Sequence, residues 1–106
     1  MSFREAQDSV DRWVGQFEEG YFAPLANVAR LAEEVGELAR EVNHHFGPKA
    51  KKPDEQVGSI AMELADILFV VTCIANSQKI DLDEAFARMM AKVTVRDAGR
   101  WTRKAR

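Results

Sequence analysis

The sequence predicts an all-α fold, a four-helix bundle-like domain. Two observations support this prediction: apolar residues recur at intervals of three and four along four segments, and no segment alternates apolar and polar residues as a strand does. Connectors that contain glycine, proline or aspartate separate the four segments. With 106 residues and 46% apolar content, the chain is expected to form one domain, residues 1–106, with a basic tail at about residues 100–106.

The first two helices are expected in the N-terminal half of the chain. The first is predicted at about residues 2–18, and Gly20 and Pro24 mark the boundary between it and the second. The second is predicted from Pro24 to about His45. Its apolar stripe, which repeats at alternating intervals of three and four, consists of Val28, Leu31, Val35, Leu38 and Val42.

The last two helices differ in character. The third, at about residues 58–78, is apolar on most of its circumference, which predicts a central, buried helix, yet Glu63 lies in the middle of its main apolar face. The fourth is expected to begin with Asp81 as its N-cap and to end near residues 97–99. Residues 46–57, with two prolines, a glycine and three lysines, are predicted to form an exposed loop.

Composition and charge exclude several classes of function. A formal charge of −2 does not favour a stable nucleic acid partner. The longest nearly uncharged stretch, Ile67 to Ser77, is short of the roughly 20 residues that span a bilayer, so no membrane association is expected. The single cysteine, Cys73, cannot form an internal disulfide, and the N-terminus lacks a signal-peptide pattern. We therefore expect a cytoplasmic protein in which Cys73 is buried filler.

Two pairs of acids lie where a helix normally avoids charge. Glu34 and Glu37 belong to the second predicted helix, and Glu63 and Asp66 to the third. Each pair has i, i+3 spacing, which puts both carboxylates about 60° apart on one helix face. Carboxylates held together on apolar helices repel one another and lose hydration, so a divalent cation is the simplest compensation. The sequence therefore predicts metal-dependent chemistry.

Ligands that are all oxygen atoms suit Mg²⁺, with Mn²⁺ as the alternative. Because Mg²⁺ binds phosphates readily, a diphosphate or triphosphate is the expected substrate, with an attacking water oriented and acidified at the metal. Glu33, Glu34 and Glu37 are the candidates to accept the proton from that water. Glu33 is the least well aimed, since it points about 100° away from Glu34.

Basic and aromatic residues supply candidates for substrate binding. Lys92, Arg96 and Arg100 recur every four residues, share one face and are expected to bind the remaining phosphates. Trp13 and Phe17 have i, i+4 spacing in the first predicted helix and are candidates to wall a pocket for a flat base. Each feature also has a structural interpretation, as a solvated face or as part of the core.

The sequence allows three alternatives to a metal-dependent nucleotide hydrolase, of which the first is disfavoured and the other two remain open. Glu41 and His44 form a Glu-x-x-His motif of the ferritin-like di-iron type, but that site requires the motif from two helices and it occurs here once. A non-catalytic helical oligomerisation or interaction module with a basic tail remains possible on the same apolar stripes. So does a hydrolase that cuts a non-nucleotide diphosphate.

The two acidic motifs together resemble a known signature. The segments Glu33-Glu34-Val35-Gly36-Glu37-Leu38 and Glu63-Leu64-Ala65-Asp66-Ile67 resemble the EExxE and ExxD motifs of the MazG-like nucleoside triphosphate pyrophosphohydrolases. These belong to the all-α NTP pyrophosphatase superfamily, with dimeric dUTPases and dCTP pyrophosphatases. The resemblance extends over nearly the whole chain and is strongest to short single-domain bacterial members.

The resemblance implies Mg²⁺-dependent hydrolysis of an NTP or dNTP to the monophosphate and pyrophosphate, in house-cleaning or control of a nucleotide pool. It also implies a homodimer or a homotetramer made of two dimers, with base contacts from the first helix and a partner subunit. Glu33 is implied to belong to the motif and to assist through a water. The implied metal ligands are Glu34, Glu37, Glu63 and Asp66. The implied substrate-binding residues are Lys92, Arg96 and Arg100 for phosphates, and Trp13, Phe17, Asn27 and Asn76 for the base.

Overall fold

The computed structural model describes residues 1–47 and 58–105, and within these ranges it contains four α-helices and no strand. This confirms the all-α prediction. The part of the predicted loop that covers residues 48–57 lies outside the described residues. The helices are α1, Phe3–Val14; α2, Pro24–Phe46; α3, Ile60–Ser77; and α4, Leu82–Arg96.

The first helix is shorter than its apolar pattern indicates. Ser2 caps its start: the Ser2 hydroxyl accepts from the Glu5 amide at 3.1 Å, and the Glu5 carboxylate accepts from the Ser2 amide at 3.2 Å. The helix ends at Val14 and not near residue 18, with Gly15 as its C-cap. Phe17 lies in the following turn and folds back edge-to-face on Trp13, at 5.1 Å between ring centroids. The Phe17 ring therefore contacts Trp13, as the i, i+4 spacing predicts, although the Phe17 backbone lies outside the helix.

Helix α3 is the central helix, because it packs against both α2 and α1. Val70, Cys73 and Ala75 are buried and form the core with the flanking helices, which confirms the interpretation of Cys73 as a buried side chain. The burial that the sequence predicts for α3 is incomplete, since Leu64 and Leu68 remain about half exposed in the single chain. The apolar pattern identified a central helix but did not reveal that one of its faces is uncovered within one chain.

Helix α4 is attached to α1 and leaves the other two helices. The Asp83 carboxylate accepts from the Phe3 and Arg4 amides at 3.1 and 3.2 Å and thereby caps the start of α1. Asp81, the N-cap of α4 as predicted, also receives a 2.6 Å hydrogen bond from the Arg4 guanidinium. The Phe3 and Phe86 rings lie 5.3 Å apart. Among the described residues, neither α2 nor α3 makes more than a marginal contact with α4.

The single chain is therefore open in shape. Its radius of gyration is 17.7 Å, whereas a compact chain of this length would have about 13 Å. Large apolar side chains remain exposed on α2, α3 and α4, among them Leu25, Met62 and Met90. The four helices do not close into a bundle within one chain, because α4 does not cover α2 and α3.

Helix α3 is long and apolar enough to cross a membrane by length and composition. The core helix of a water-soluble protein meets the same criteria, and one such helix is weak support for a membrane span. Helix α3 packs between two other helices and carries Glu63 and Asp66 near its start. These features are typical of a core helix.

Candidate metal centre and adjoining cavity

The packing of α2 against α3 brings acids from the two sequence motifs together. One carboxylate oxygen each from Glu34, Glu63 and Asp66 lies within 4.8 Å of the other two, and all three side chains are half-buried. Helix geometry explains the arrangement: Glu63 and Asp66 share one face of α3, and that face meets the Glu34 face of α2. The three oxygens are close enough to bind a single cation.

The other two acids of the first motif are placed differently. Glu37 is exposed, but its charge is near enough to contribute to the raised pKa of Glu63. Glu33 is also exposed and lies about 100° around α2 from Glu34, away from the cluster. The structure thus places Glu37 at the edge of the carboxylate cluster and Glu33 outside it.

The carboxylate of Glu63 has a raised pKa. Partial burial raises its pKa above the ordinary value, and the negative charges of Asp66, Glu37, Glu34 and Glu41 raise it further. A cation in the cluster would reverse this effect, because it favours the charged form of each carboxylate. The donor set consists of carboxylate oxygens, which are the ligands that Mg²⁺ and Mn²⁺ prefer. The residues therefore fit a hard divalent cation.

Glu41 is a further acid near this cluster, which the sequence analysis considered only as part of the disfavoured Glu-x-x-His motif. It is 6% exposed, and its Oε1 lies 3.3 Å from Nε2 of His45. A Cβ at Gly58 would lie 2.6 Å from Glu41 Oε2, so the carboxylate occupies space that only glycine leaves open. The signal for Glu41 was its position four residues after Glu37, on the same edge of α2.

A cavity of about 330 Å³ lies next to the acid cluster along the same pair of helices. On α2, Asn27 and Arg30 line it one to two turns before Glu34. On α3, Phe69 and Cys73 line it one to two turns after Asp66. Its remaining wall comes from α1 and the α1–α2 connector and consists of Trp13, Val14, Phe17, Glu19, Gly20, Tyr21 and Phe22.

The cavity combines apolar walls with a few polar groups. Asn27 is 1% exposed, and its amide nitrogen donates to the Phe22 carbonyl at 3.4 Å. The Arg30 guanidinium lies 5.1 Å from the centre of the Phe22 ring. Burial raises the pKa of the Cys73 thiol, and Arg30 partly opposes this. Such a lining is typical of a small-molecule site.

Asn76 does not line this cavity but supports one of its walls. Its amide nitrogen donates to the Gln7 carbonyl and to the Tyr21 hydroxyl, both at 2.9 Å, and its oxygen accepts from the Gln7 side chain at 2.9 Å. The Tyr21 hydroxyl donates to Asp11 at 2.7 Å. Burial, followed by the hydrogen bond to Asp11, raises the pKa of Tyr21 to about 12. Asn76 therefore ties α1, the connector and α3 together.

The predicted phosphate-binding cations lie on or beyond α4, which does not cover the acid cluster of its own chain. Asp97 lies 3.1 Å from Arg96 and 3.7 Å from Arg100, whose guanidinium stacks 5.1 Å from the Trp101 ring centre. Lys92 is exposed. The structure therefore brings Glu34, Glu63 and Asp66 together but separates them from these cations.

Comparison with known proteins identifies the family. Residues 22–101 match the MazG nucleotide pyrophosphohydrolase domain, and this range contains α2, α3, α4 and every acid of the cluster. The chain belongs to the MazG family. The prediction of a MazG-like nucleotide pyrophosphohydrolase is thereby confirmed.

Relatives of known structure agree with this MazG assignment. The chain is 55% identical over 103 residues to YpjD of Bacillus subtilis (strain 168), a protein described as uncharacterized, covering 97% of this chain and 93% of YpjD. A crystal structure of YpjD, described as a candidate pyrophosphatase, superimposes with a TM-score of 0.78 at 54% identity, covering 87% of this chain and 94% of the other. The crystal structure of the Bacillus-conserved MazG protein, a nucleotide pyrophosphohydrolase, superimposes with a TM-score of 0.75 at 50% identity, covering 87% of this chain and 88% of the other.

This MazG domain also has cavity residues that the sequence analysis missed. Arg30 lies four residues before Glu34 and so shares its helix face, a spacing that would have been sufficient to select it. Tyr21 and Phe22 lie in the non-helical connector, where no periodicity indicates which way a side chain points. They line the cavity together with Trp13 and Val14 at the end of α1.

Proposed function

We propose that this MazG-family enzyme hydrolyses nucleoside triphosphates, NTP or dNTP, to the monophosphate and pyrophosphate in a Mg²⁺-dependent reaction that removes unwanted nucleotides. The observation that carries the proposal is the position of the carboxylate cluster beside an aromatic-walled cavity on the same two helices. A nucleotide requires two adjacent sites of different chemistry, because its charged phosphates need bound cations and its flat base needs an aromatic-walled cavity. Family membership supports the pyrophosphohydrolase chemistry.

The metal ligands in this proposal are Glu34, Glu63 and Asp66, with Glu37 completing the set from the edge of the cluster. Bound Mg²⁺, or Mn²⁺ in its place, supplies charge neutralisation for the phosphate oxygens and lowers the pKa of a water. The half-buried position of the cluster limits competition from bulk water. Because partial burial and the neighbouring carboxylates raise the pKa of Glu63, a cation in the cluster would favour its charged form.

The protein's own groups position the reactants and accept the proton. Water forms a bond to the phosphorus on one side of the oxygen that bridges the α- and β-phosphates, the bond from that phosphorus to the bridging oxygen breaks, and the products are the monophosphate and pyrophosphate. A carboxylate of α2 accepts the proton that the water loses, and Glu33, Glu34 and Glu37 remain the candidates. Glu33 is proposed to act through a second water, because it is exposed and does not point into the cluster.

The cavity is the proposed base site. Trp13 and Phe17 offer aromatic faces at its mouth, where they are about half exposed, and Asn27 offers a buried amide at its wall. Base–aromatic stacking tolerates different bases, so this arrangement supports binding without fixing the base. Asn76, which the resemblance implies in base binding, donates to the hydroxyl of Tyr21, a residue that lines the cavity.

The assembly is proposed to be a homodimer or a dimer of dimers acting in the cytoplasm. Its support is an exposed apolar stripe on the uncovered face of α2, which differs from the predicted stripe in its members. These residues repeat at alternating intervals of three and four. All seven are exposed: Leu25, Val28, Ala32, Val35, Ala39, Val42 and Phe46. Such a face is typical of a subunit interface. No stable nucleic acid partner is proposed.

The function is tested by incubating the purified protein with each of the eight common NTPs and dNTPs and identifying the products. Monophosphate and pyrophosphate, released only with Mg²⁺ or Mn²⁺, are expected. Release of orthophosphate, or cleavage of a non-nucleotide diphosphate alone, would contradict the proposal.

The metal site is tested separately by thermal melting with and without Mg²⁺. Wild type is expected to gain stability, because the cation binds the folded state preferentially. Glu34→Gln should lose most of this gain, and Glu33→Gln, its neighbour outside the cluster, should keep it. A protein that neither releases pyrophosphate nor responds to Mg²⁺ would instead be an interaction module, which the exposed apolar stripe would also serve.

A further inference from the structure

Arg30 is a half-buried cation in the wall of the proposed base site. Its guanidinium lies 5.1 Å from the centre of the Phe22 ring, and Phe22 lines the same cavity. Burial raises the pKa of the Cys73 thiol, and the positive charge of Arg30 partly opposes this rise, so the guanidinium also lies near the wall that α3 supplies. Both neighbours place the charged end of Arg30 at the cavity.

Arg30 has no acidic partner among the residues that the structure describes. Glu33 and Glu34 follow it by three and four residues on α2, a spacing at which opposite charges on a helix can pair, yet neither forms an ion pair with it. Glu19, the acid among the described residues that line the cavity, does not pair with it either. A guanidinium is permanently charged and has five N–H donors. Arg30 therefore brings to the cavity a cation whose donors can bind an anionic ligand.

Arg30 also lies between the two parts of the proposed site. Asn27, Arg30 and Glu34 are three and four residues apart on α2, so they share one face at axial intervals of about 4.5 and 6 Å. Asn27 lines the cavity, and Glu34 belongs to the acid cluster. A nucleoside triphosphate has its groups in a matching order, because the α-phosphate lies between the nucleoside and the outer phosphates.

We propose that Arg30 binds the α-phosphate of the nucleotide, both in the triphosphate and in the monophosphate product. This role rests on the proposed function and connects its base site with its metal site through one residue. A planar guanidinium can donate two parallel hydrogen bonds to phosphate oxygens, and a partly buried position strengthens them. A guanidinium that lies over an aromatic ring keeps its N–H donors at its edge, where a phosphate can reach them. The same contact favours nucleotides over nucleosides.

Equilibrium binding tests the proposal without catalysis. Wild type and Arg30→Gln are titrated by calorimetry, in Mg²⁺, with the four common deoxynucleoside monophosphates and with the corresponding nucleosides. Wild type should bind at least one monophosphate more tightly than its nucleoside. Because a charge-assisted hydrogen bond is lost, Arg30→Gln should bind this monophosphate about 10- to 100-fold more weakly and its nucleoside equally well. Equal monophosphate affinity in the two proteins, or no preference of wild type for any monophosphate, would overturn the proposal.

Two further substitutions separate phosphate binding from support of the cavity wall. Arg30→Lys keeps the charge but not the planar fork, so its monophosphate affinity should lie between those of wild type and Arg30→Gln. Arg88→Gln removes the same charge from an exposed position on α4, 3.9 Å from Glu84, and should bind like wild type. If Arg30 only supports the Phe22 ring, Arg30→Gln would weaken nucleoside and monophosphate binding by the same factor, and the proposal would fail.

Chemical protection gives a measurement on the wild-type chain, which does not depend on the folding of any variant. Phenylglyoxal modifies guanidinium groups, and mass spectrometry of the peptides measures the modification of each arginine. The monophosphate that binds most tightly should slow the modification of Arg30 more than its nucleoside does at equal site occupancy. Arg88 should react at the same rate in all samples. Equal protection by the two ligands, or no protection by the monophosphate, would contradict the proposal.

Kinetics separate this proposal from the proposed function. With a triphosphate that wild type cleaves, Arg30→Gln should raise KM by a factor similar to its loss of monophosphate affinity and change kcat little, because the contact is made both before and during the reaction. A fall in kcat alone, with monophosphate binding unchanged, would exclude this role. If wild type cleaves no nucleotide, the proposed function fails, but monophosphate binding and arginine protection still decide whether Arg30 binds the phosphate.

Discussion

At the scale of single residues, Glu63 lies in an environment that favours its protonated form. Because the folded state raises its pKa, the folded protein binds this proton more tightly than the unfolded chain does. The metal-free protein should therefore lose stability from this group as pH rises from about 4.5 through the raised pKa. Melting temperatures in EDTA between about pH 4 and pH 7 measure this loss.

The control for this prediction is Glu63→Gln, which has no proton to exchange at this position. Its melting temperature should fall less than that of wild type over the same pH range, and Mg²⁺ should stabilise it less. If the melting temperatures of the two proteins changed with pH in parallel, the neighbouring carboxylates would not raise the pKa of Glu63 as the structure indicates.

Asn76 is expected to affect stability before it affects base choice. Asn76→Ala removes the partner of Gln7 and of the Tyr21 hydroxyl, and it should lower the free energy of unfolding by about 1–3 kcal/mol. Urea denaturation measures the loss, and Gln78→Ala, exposed on the same segment, is the control. A stability equal to wild type with altered base selectivity would instead support direct contact with the base.

These residues also show what sequence reasoning can supply at this scale. The i, i+3 spacing was sufficient to predict that Glu63 and Asp66 share a face, because helix geometry fixes that relation. It was not sufficient to distinguish Asn27, in the cavity wall, from Asn76, in a hydrogen-bond network. Both are amides on apolar helices, and their roles depend on which loop residues fold over them.

At the scale of helices, the joint between α1 and α4 depends on a carboxylate that caps a helix other than its own. Asp83→Ala removes the acceptor of the Phe3 and Arg4 amides, so stability should fall by about 0.5–2 kcal/mol. Equilibrium unfolding in urea measures this change. Glu84→Ala is the matched control, since the Glu84 carboxylate lies 3.9 Å from Arg88 of its own helix and not at the start of α1. An equal loss in both variants would exclude a specific cap.

The apolar pattern of α2 predicted a helix correctly but not its neighbours. Leu31 and Leu38 are half-buried, whereas Val28, Val35 and Val42 of the same predicted stripe are 39% to 55% exposed. Hydrophobic periodicity reports that a face avoids water, and it contains no information about which element covers that face. For the same reason the sequence predicted four helices but not that α4 turns away from α3.

At the scale of the whole molecule, the open shape makes association a requirement for activity under the proposed function. Val35→Glu places a charge in the middle of the exposed stripe, so it should shift the protein toward monomer and reduce pyrophosphate release. Light scattering coupled to size-exclusion chromatography measures the mass. Ala29→Glu adds the same charge about 100° from the stripe centre on α2 and should leave the mass unchanged. Unchanged assembly in Val35→Glu would place the interface elsewhere.

The glycine beside Glu41 links two positions through shape alone. A methyl group at Gly58 would collide with the Glu41 carboxylate, which has buried surroundings and little room to withdraw. The two positions should therefore vary together: homologous chains that keep an acid at position 41 should keep glycine at position 58. In an alignment of many homologues, residues larger than glycine at position 58 should accompany shorter or uncharged residues at position 41.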